Sequence, residues 1–377
     1  MIAGEASGDL HGSLLVRELK KLHSDLELYG LGGSAMEKEG VQIFFDLPSI
    51  AALGLGDVLR QYFQFRKIFY ETLHRVLNEI KPDLLILIDY PGFNIRFAKK
   101  INRRIPVLYY ISPQVWAWGR RRIKTIARIV DRMLVFLPFE VAVYKGTGID
   151  CHFVGHPLID LVRPSKPAGE IRREWNLEGE KVVSLLPGSR KSEVKRILPI
   201  LLETAKILAS EFPRISFLMT ESATIPQEIY DHLFRGNTLP IKRIKGRMYD
   251  ALAISDFAIV ASGTATLETA ISLKPFLIVY KTAWSTYFLG RRLIRIPYIG
   301  LVNVLAGKKI VPEFIQQDAS AQKIAKEATR LLSDEKACAE MIQSICRVRD
   351  SLGEPGAPCR AARAVLELIQ SRSKVKA

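Results

Sequence analysis

Cysteine is scarce in this chain of 377 residues, which contains only Cys151, Cys338, Cys346 and Cys359. Their spacing fits neither a disulfide framework nor a cysteine metal site, so we expect reduced thiols in a cytoplasmic protein. The sequence also lacks an apolar run long enough to cross a bilayer. Glu5 and Asp9 stand where a signal peptide would carry its apolar core, which argues against export.

Acidic residues are few relative to basic ones. The chain has 39 Asp and Glu against 55 Lys and Arg, which gives a formal net charge of +16. This excess predicts an acidic partner, either nucleic acid, an anionic membrane or a phosphorylated substrate. The cations are spread along the chain and no known nucleic-acid module is visible, so we expect no nucleic-acid partner but a polyanionic surface or ligand.

Alternation of short apolar runs with helical patterns dominates what the chain does contain. The pattern predicts an α/β protein with parallel sheets. A Pro- and Gly-containing stretch at 163–169 reads as a linker, and the alternation restarts after it. We predict an N-terminal domain at 1–163, a C-terminal domain at 164–345, and a closing helix at 346–377 that packs on the first domain or on a partner subunit.

Asp89 follows the apolar run Leu84 to Ile88 and precedes a Pro-Gly turn. A buried parallel strand that ends in a carboxylate opens on the crevice where such sheets bind ligands. The alternative is that Asp89 only caps the next helix.

A glycine turn, Gly4-Glu5-Ala6-Ser7-Gly8-Asp9, follows the first short strand. Its spacing is not that of the dinucleotide fingerprint, and its carboxylates suit the hydroxyl groups of a sugar better than phosphate. Glu5, Ser7 and Asp9 are therefore candidate sugar contacts, although Asp9 could equally cap the following helix.

A long helix predicted from Asp57 to about Ile80 is apolar on too many sides near its start. Exposed aromatic residues beside cations fit an interfacial membrane patch or a groove for acyl chains, and the alternatives are core packing or a dimer contact. The candidate patch comprises Leu55, Val58, Leu59, Tyr62 and Phe63.

Two tryptophans stand in the loop 112–119, after the strand Val107 to Ile111. They either pack on a sugar ring and shape a pocket, or serve as buried wedges. His156 precedes a proline and reads as structural rather than catalytic.

The second half of the chain has two small-residue turns that each open a helix after a strand. Pro187 to Glu193 combines Gly188, Ser189 and Arg190, which predicts a diphosphate site at a helix start. The turn 262–268 ends in Glu268, a carboxylate suited to ribose hydroxyls. Both turns lie in one predicted domain, so they could converge on one nucleotide.

Eight of these segments together resemble lipid-A-disaccharide synthases, glycosyltransferases with two Rossmann-like domains facing a cleft, the GT-B architecture. They run in the family's order over nearly the whole chain. The segments are GEASGD at 4–9, IDYPGFN at 88–94, YYISPQVWAWG at 109–119, VFLPFE at 135–140, VGHPL at 154–158, LLPGSRKSEV at 185–194, ASGTATLE at 261–268 and NVLAG at 303–307.

The resemblance implies transfer of a glucosaminyl unit from UDP-2,3-diacylglucosamine to 2,3-diacylglucosamine 1-phosphate with inversion. Asp89 would be the general base and Arg190 would balance charge on the departing diphosphate. Glu268 would hold ribose and Asn303 would contact the nucleotide. Ser262, Gly263, Thr264, Ala265 and Thr266 would supply backbone donors. The family needs no metal or other cofactor, and the sequence shows no ligand cluster for one.

The same resemblance implies a cytoplasmic protein bound peripherally to the inner membrane, where its acylated substrates lie, and a homodimer is possible. Two other functions remain open. One is a different GT-B enzyme, such as a UDP-N-acetylglucosamine transferase or epimerase. The other is a basic binding protein without enzymatic activity, for nucleic acid or membrane.

Overall fold

Two compact units make up the chain in a computed structural model. One comprises Met1–Pro157 with Leu352–Ala377, and the other Leu158–Ser351. The structure describes residues 1–52, 58–177, 181–293 and 296–376, with side chains for all of these except 51–52, 58–62, 286, 289–291, 293 and 372–376. The observed boundaries, after Pro157 and after Ser351, lie a few residues from those predicted after 163 and 345.

The first unit is built on a parallel sheet of seven strands among the described residues, in the order β3-β2-β1-β4-β5-β6-β7. Its central strands are aliphatic or aromatic at every position and fully buried, because helices cover both faces of the sheet. The strands are β1 Ile2–Ala3, β2 Tyr29–Gly32, β3 Gln42–Asp46, β4 Leu85–Ile88, β5 Val107–Tyr110, β6 Arg132–Val135 and β7 Asp150–Phe153.

Helices connect these strands, and the last helix of the chain returns to the first unit. Apolar residues of that helix, among them Ala361, Val365 and Leu368, share a core with Leu15 and Leu19 of the first helix. The helices are α1 Ala6–Leu22, α2 Ser34–Lys38, α3 Leu47–Ala52, α4 Val58–His74 with a π-helical continuation Arg75–Ile80, α5 Pro91–Ile101, α6 Arg122–Ile129, α7 Glu140–Tyr144 and, after the second unit, α18 Ala357–Lys376.

The second unit repeats the plan with a parallel sheet in the order β10-β9-β8-β11-β12-β13. Numbered within the unit, this is the 3-2-1-4-5-6 strand order of the Rossmann fold. Its strands are β8 Lys181–Leu186, β9 Ile215–Glu221, β10 Ile241–Lys245, β11 Phe257–Ala261, β12 Phe276–Tyr280 and β13 Glu313–Ile315. Its helices are α8 Leu158–Leu161, α9 Ala168–Glu174, α10 Lys191–Glu211, α11 Gln227–Phe234, α12 Met248–Ile254, α13 Thr264–Ile271, α14 Trp284–Leu293, α15 Leu301–Ala306, α16 Ala321–Ser333 and α17 Glu335–Ser351.

The predicted linker is tied to the second unit. The carboxylate of Asp250 in α12 accepts hydrogen bonds from the Ser165 amide at 2.6 Å and from the Ser165 hydroxyl at 2.7 Å. The stretch that composition marks as a linker is therefore held within the second unit, which begins at Leu158.

Each sheet has one point at which the connections reverse direction, between β1 and β4 in the first unit and between β8 and β11 in the second. Doubly wound sheets bind ligands at the carboxyl ends of the strands on either side of such a point. The Gly4–Asp9 turn and Asp89 follow the first pair, and the turns at 187–193 and 262–268 follow the second. Among the described helices, none is long and apolar enough to cross a membrane.

Candidate active site

Asp89 occupies a backbone turn that three hydrogen bonds fix. Asp89 and Tyr90 both have left-handed backbone angles, with φ of 44° and 45°, which non-glycine residues rarely adopt. The Asp89 carbonyl accepts from the Asn94 side-chain amide at 2.7 Å and from the Tyr109 hydroxyl at 2.6 Å, while its amide donates to the Tyr110 carbonyl. The carboxyl group is thereby held at the end of β4 by groups from β5 and α5.

The electrostatic surroundings of Asp89 suit proton transfer. Burial, and next the negative charge of Glu5, raise the pKa of the Asp89 carboxyl to about 6. A carboxylate with a pKa close to the working pH is an effective general base, because it is ionised yet still basic enough to accept a proton. Glu5 itself is exposed, and its negative charge contributes to this shift.

Gly4 is required by the aromatic ring that follows Asp89. A Cβ atom at position 4 would lie 2.1 Å from the Tyr90 ring. The ring therefore packs directly on the backbone of the first turn, which brings the Gly4–Asp9 turn and the Asp89 turn into contact.

Asp9 has a structural task in place of the predicted sugar contact. Its buried carboxylate accepts hydrogen bonds from the amides of Gly33 at 2.8 Å, Ala35 at 3.0 Å and Met36 at 3.1 Å. These amides belong to the start of α2, so Asp9 caps a neighbouring helix, not its own. Glu5 and Ser7 remain exposed and available to a ligand.

A buried carboxyl group anchors the tryptophan loop. Glu140 accepts from the Trp116 indole at 3.1 Å and from the Leu137 amide at 3.2 Å. Burial raises the pKa of Glu140 to about 7. Trp116 is half-buried as a wedge in the loop, whereas Trp118 is 44% exposed and stacks under Arg122.

The buried His156 donates its amide to the Leu352 carbonyl.

A cavity of about 600 Å³ opens at the carboxyl edge of the second sheet. Gly188 adopts a φ of 106°, and a Cβ there would lie 2.8 Å from the Glu193 carboxylate, so glycine is needed at this turn. Arg190 is the N-cap residue of α10 without a capping hydrogen bond from its side chain, which is 77% exposed and pairs with Glu193 at 3.0 Å. The lining includes Gly188, Ser189, Arg190, Thr220, Ser222, Arg247, Tyr249, Ser262, Gly263, Thr264, Ala265 and Glu268.

Glu268 also lines this cavity and lies one turn inside α13. Its Oε1 atom accepts a hydrogen bond from the Tyr249 hydroxyl at 2.7 Å. Burial raises the pKa of Glu268, and the bond from Tyr249 opposes that shift. The carboxylate has further acceptor capacity, which suits hydroxyl donors such as those of ribose.

Thr266 and Asn303 do not have the free polar groups predicted for them. The buried Thr266 donates both its amide and its hydroxyl to the Gly263 carbonyl. Asn303 is fully buried, donates to the Val311 carbonyl and to Glu313, and accepts from the amides of residues 310 and 311. Its amide group is saturated by protein contacts and secures the loop between α15 and β13.

Several cavity residues carry no sequence signal of their own. Tyr249, Arg247 and Thr220 come from the ends of elements that are far apart in the sequence. Arg163 and Ser165 belong to the stretch that reads as a linker. Only the fold shows that these residues share a cavity with the two glycine turns.

The predicted membrane patch is only partly visible. Leu55 lies outside the described residues, and Val58, Leu59 and Tyr62 belong to α4 with side chains outside the description. Phe63 is 62% exposed.

Among the described residues there is no group of His, Cys, Asp and Glu side chains that could hold a metal ion.

Comparison with known proteins agrees with the geometry. The family described as lipid-A-disaccharide synthetase matches residues 1–367. The lipid-A-disaccharide synthase of Geobacter sulfurreducens is 42% identical over 371 residues, covering 98% of this chain and 96% of its own. That of Syntrophus aciditrophicus is also 42% identical, over 373 residues, covering 98% and 97%.

Solved structures show the same fold at low identity. A UDP co-structure of MnaA from S. aureus aligns with a TM-score of 0.66 at 12% identity, covering 98% of this chain and 96% of the other. A UDP-GlcNAc 2-epimerase from Neisseria meningitidis bound to UDP-GlcNAc aligns at 0.61 and 13%, covering 98% of each chain. The family match and the curated relatives span nearly the whole chain, and the chain therefore belongs to the lipid-A-disaccharide synthase family, hexosyltransferases of lipid A biosynthesis.

Proposed function

We propose that the chain transfers the glucosaminyl unit of UDP-2,3-diacylglucosamine to the 6-hydroxyl of 2,3-diacylglucosamine 1-phosphate. The products are a β(1→6)-linked, tetraacylated disaccharide 1-phosphate and UDP. The observation that carries this proposal is Asp89, a carboxyl group fixed at the switch point of the first sheet with its pKa raised to about 6.

In the reacting step the acceptor's 6-oxygen attacks the anomeric carbon on the face opposite the diphosphate. The new C–O bond forms as the bond to the diphosphate oxygen breaks, so the configuration inverts without a covalent enzyme intermediate. The Asp89 carboxylate takes the hydroxyl proton. Glu5 and Ser7, exposed beside it, are the proposed sugar contacts on this side.

The cavity of the second unit fits the nucleotide. The backbone of Gly188, Ser189 and residues 263–265 offers donors at the starts of α10 and α13 for the diphosphate, whereas the Ser262 amide donates to the Val279 carbonyl. Arg190 faces the charge that grows on the departing UDP. Its pairing with Glu193 is exposed and therefore weak, so the diphosphate can replace that partner. Glu268 would accept from the ribose hydroxyls.

Membrane association belongs to the same proposal, because both substrates carry acyl chains. The exposed aromatic residues Phe63 and Tyr70 on α4 lie beside Arg66 and Lys67, which suits an anionic lipid surface. We propose peripheral binding at the cytoplasmic face of the inner membrane.

The test incubates the purified chain with both substrates and detects disaccharide 1-phosphate and UDP by mass spectrometry. Wild type should form both products, Asp89→Asn should lose at least a hundredfold in kcat, and activity should fall as the pH is lowered through about 6. Arg190→Ala should lose a hundredfold to a thousandfold in kcat. Turnover of unacylated UDP-N-acetylglucosamine without transfer to the lipid acceptor would favour an epimerase and contradict the proposal.

A further inference from the structure

A second cavity, separate from the nucleotide cavity, lies in the first unit between α4 and α5. It is a groove of about 660 Å³. We call it the α4–α5 groove. The residues that line it are Phe65, Arg66, Phe69, Tyr70, Tyr90, Gly92, Phe93, Arg96, Lys99 and Lys100.

Packed aromatic rings form the floor of the α4–α5 groove. Phe69 meets Phe93 edge-on with ring centroids 5.2 Å apart, and Tyr90 stacks on Phe93 at 6.2 Å. Phe97 is fully buried outside the lining and packs against Phe93, with ring centroids 5.9 Å apart. The lining rings of Phe69, Phe93 and Tyr90 form an aromatic surface, which binds aliphatic chains by apolar burial.

Cations form the rim. Arg66 comes from α4, and Arg96, Lys99 and Lys100 come from α5. None of these four forms an ion pair with a carboxylate among the described residues, and Arg66 instead lies over the Tyr70 ring at 5.9 Å. Four uncompensated charges beside an apolar floor favour a ligand with an anionic group and an apolar body.

The groove includes the residue next to Asp89 in the chain, although Asp89 itself is not part of its lining. Tyr90, which follows Asp89 directly, lines its end, and Gly92, Arg96 and Lys100 follow at four-residue intervals on one side of α5. Arg96 stands about 6 Å along the helix axis from Gly92. An acceptor that meets Asp89 with its hydroxyl and continues past Tyr90 along α5 would bring an anionic group to the cations of this helix.

We propose that the α4–α5 groove binds the acylated acceptor sugar, with an acyl chain on the aromatic floor and the anomeric phosphate at Arg96. This rests on the proposed function, since it assigns the acceptor of the reaction that Asp89 begins. Lys99 and Lys100 lie further along the rim and raise the local positive potential. Arg96 acts in binding and takes no part in proton transfer.

The experiment pairs a protein change with a ligand change. Wild type, Arg96→Gln and the control Arg104→Gln are assayed in neutral mixed micelles with two acceptors, 2,3-diacylglucosamine 1-phosphate and 2,3-diacylglucosamine without phosphate. Arg104 is an exposed cation just beyond α5 that does not line the groove. Arg96→Gln should raise the KM of the phosphorylated acceptor about tenfold, with kcat and the donor KM within threefold of wild type. The KM of the phosphate-free acceptor should be unchanged by the substitution.

A floor variant tests the apolar half of the inference. Phe65→Ala removes a half-buried ring of the groove and should raise the KM of both acceptors severalfold, while acceptors with shorter acyl chains should lose less. Thermal melting of each variant near the wild-type temperature shows that the fold is intact.

Several outcomes overturn the inference. An unchanged acceptor KM in Arg96→Gln, or equal losses for both acceptors, would remove the phosphate from Arg96. Weaker binding to anionic vesicles with an unchanged acceptor KM in micelles would make the rim a membrane contact. If wild type forms no disaccharide, the proposed function fails, and the acceptor site is then tested separately by titrating the phosphorylated acceptor onto the protein. Binding that is weakened by Arg96→Gln supports the acceptor site in the α4–α5 groove. Binding that Arg96→Gln leaves unchanged contradicts this site.

Discussion

Asp89, the proposed general base, also affects stability through its raised pKa. In an unfolded chain this carboxyl would have an ordinary pKa near 3.8, whereas burial and Glu5 raise it to about 6 in the folded state. The folded protein therefore binds the proton more tightly, and stability falls as the pH rises from about 4 to 6. Above that range the full cost of the buried charge is present.

Asp89→Asn should therefore stabilise the protein while it lowers kcat at least a hundredfold. At pH 7.5 the free energy of unfolding should rise by an amount on the order of 2 kcal/mol, and the gain should shrink as the pH approaches 4. Urea denaturation at several pH values measures it, with Asp83→Asn as the control, since Asp83 is an exposed residue before β4. A variant no more stable than wild type at pH 7.5 would contradict the raised pKa.

Tyr249→Phe tests the proposed ribose contact. The Tyr249 hydroxyl donates to the Glu268 carboxylate and thereby lowers the pKa of Glu268. Without this donor the pKa should rise, so Glu268 in the variant should take up a proton at a higher pH. The donor KM should rise severalfold, and more at pH 6 than at pH 8, with little change in kcat. Tyr29→Phe breaks a similar Tyr–Glu hydrogen bond outside the cavity and should leave the donor KM unchanged. A loss confined to kcat would instead place Glu268 in the chemical step.

The positions of polar residues could be predicted from the sequence more readily than their hydrogen-bond partners. Asp89 follows β4 directly and Arg190 lies in the turn after β8, so strand order alone brings each of them to a switch point. Asp9 and Asn303 also stand in glycine-containing motifs, but distant backbone amides at 33–36 and 310–311 saturate their side chains. No local pattern shows that a buried acceptor is already occupied.

At the scale of elements, the buried central strands are the predictable part of the fold. Runs such as Leu85–Ile88 and Phe257–Ala261 are apolar at each position, which is typical of covered parallel sheets. The edge strands Ile241–Lys245 and Glu313–Ile315 were not predicted, because their mixed composition reflects one-sided exposure. The segment 300–307 begins and ends in glycine, a composition typical of a loop, yet residues 301–306 form the helix α15 between the two glycines.

The loop at 112–119 depends on one buried carboxyl group. Glu140→Ala would leave the Trp116 indole and the Leu137 amide without their acceptor, which should cost about 2 to 4 kcal/mol of the free energy of unfolding. Glu140→Gln keeps an acceptor for only one of these donors, so its free energy of unfolding should lie between those of wild type and Glu140→Ala. Urea denaturation gives the stabilities, and quenching of tryptophan fluorescence reports the loop. Equal stability of the Ala and Gln variants would show that these hydrogen bonds do not hold the loop.

At the scale of the whole molecule, the chain closes its first unit with its last helix. Leu368 of α18 packs among Leu15, Val16 and Leu19 of α1, although more than 300 residues separate them. The middle of the chain, Leu158–Ser351, is thereby inserted between two segments of one unit. The first sheet with its Asp89 turn therefore depends on both ends of the chain, and a sequence pattern alone leaves open whether such a helix returns or pairs with a second copy.

Charge is the other property of the whole molecule, and it leads to the prediction for membrane binding. With a net charge of +16, attraction to anionic lipid should weaken as salt screens it, whereas an inserted aromatic side chain should be insensitive to salt. Phe63→Ser should weaken sedimentation with phosphatidylglycerol vesicles severalfold at both 0.1 M and 0.5 M salt. Leu22→Ser is the control, because Leu22 is an exposed apolar residue at the end of α1, remote from the Asp89 edge of the sheet. This variant should bind the vesicles as wild type does. Binding that salt abolishes and Phe63→Ser does not alter would reduce the association to electrostatics and remove the aromatic residue from the membrane contact.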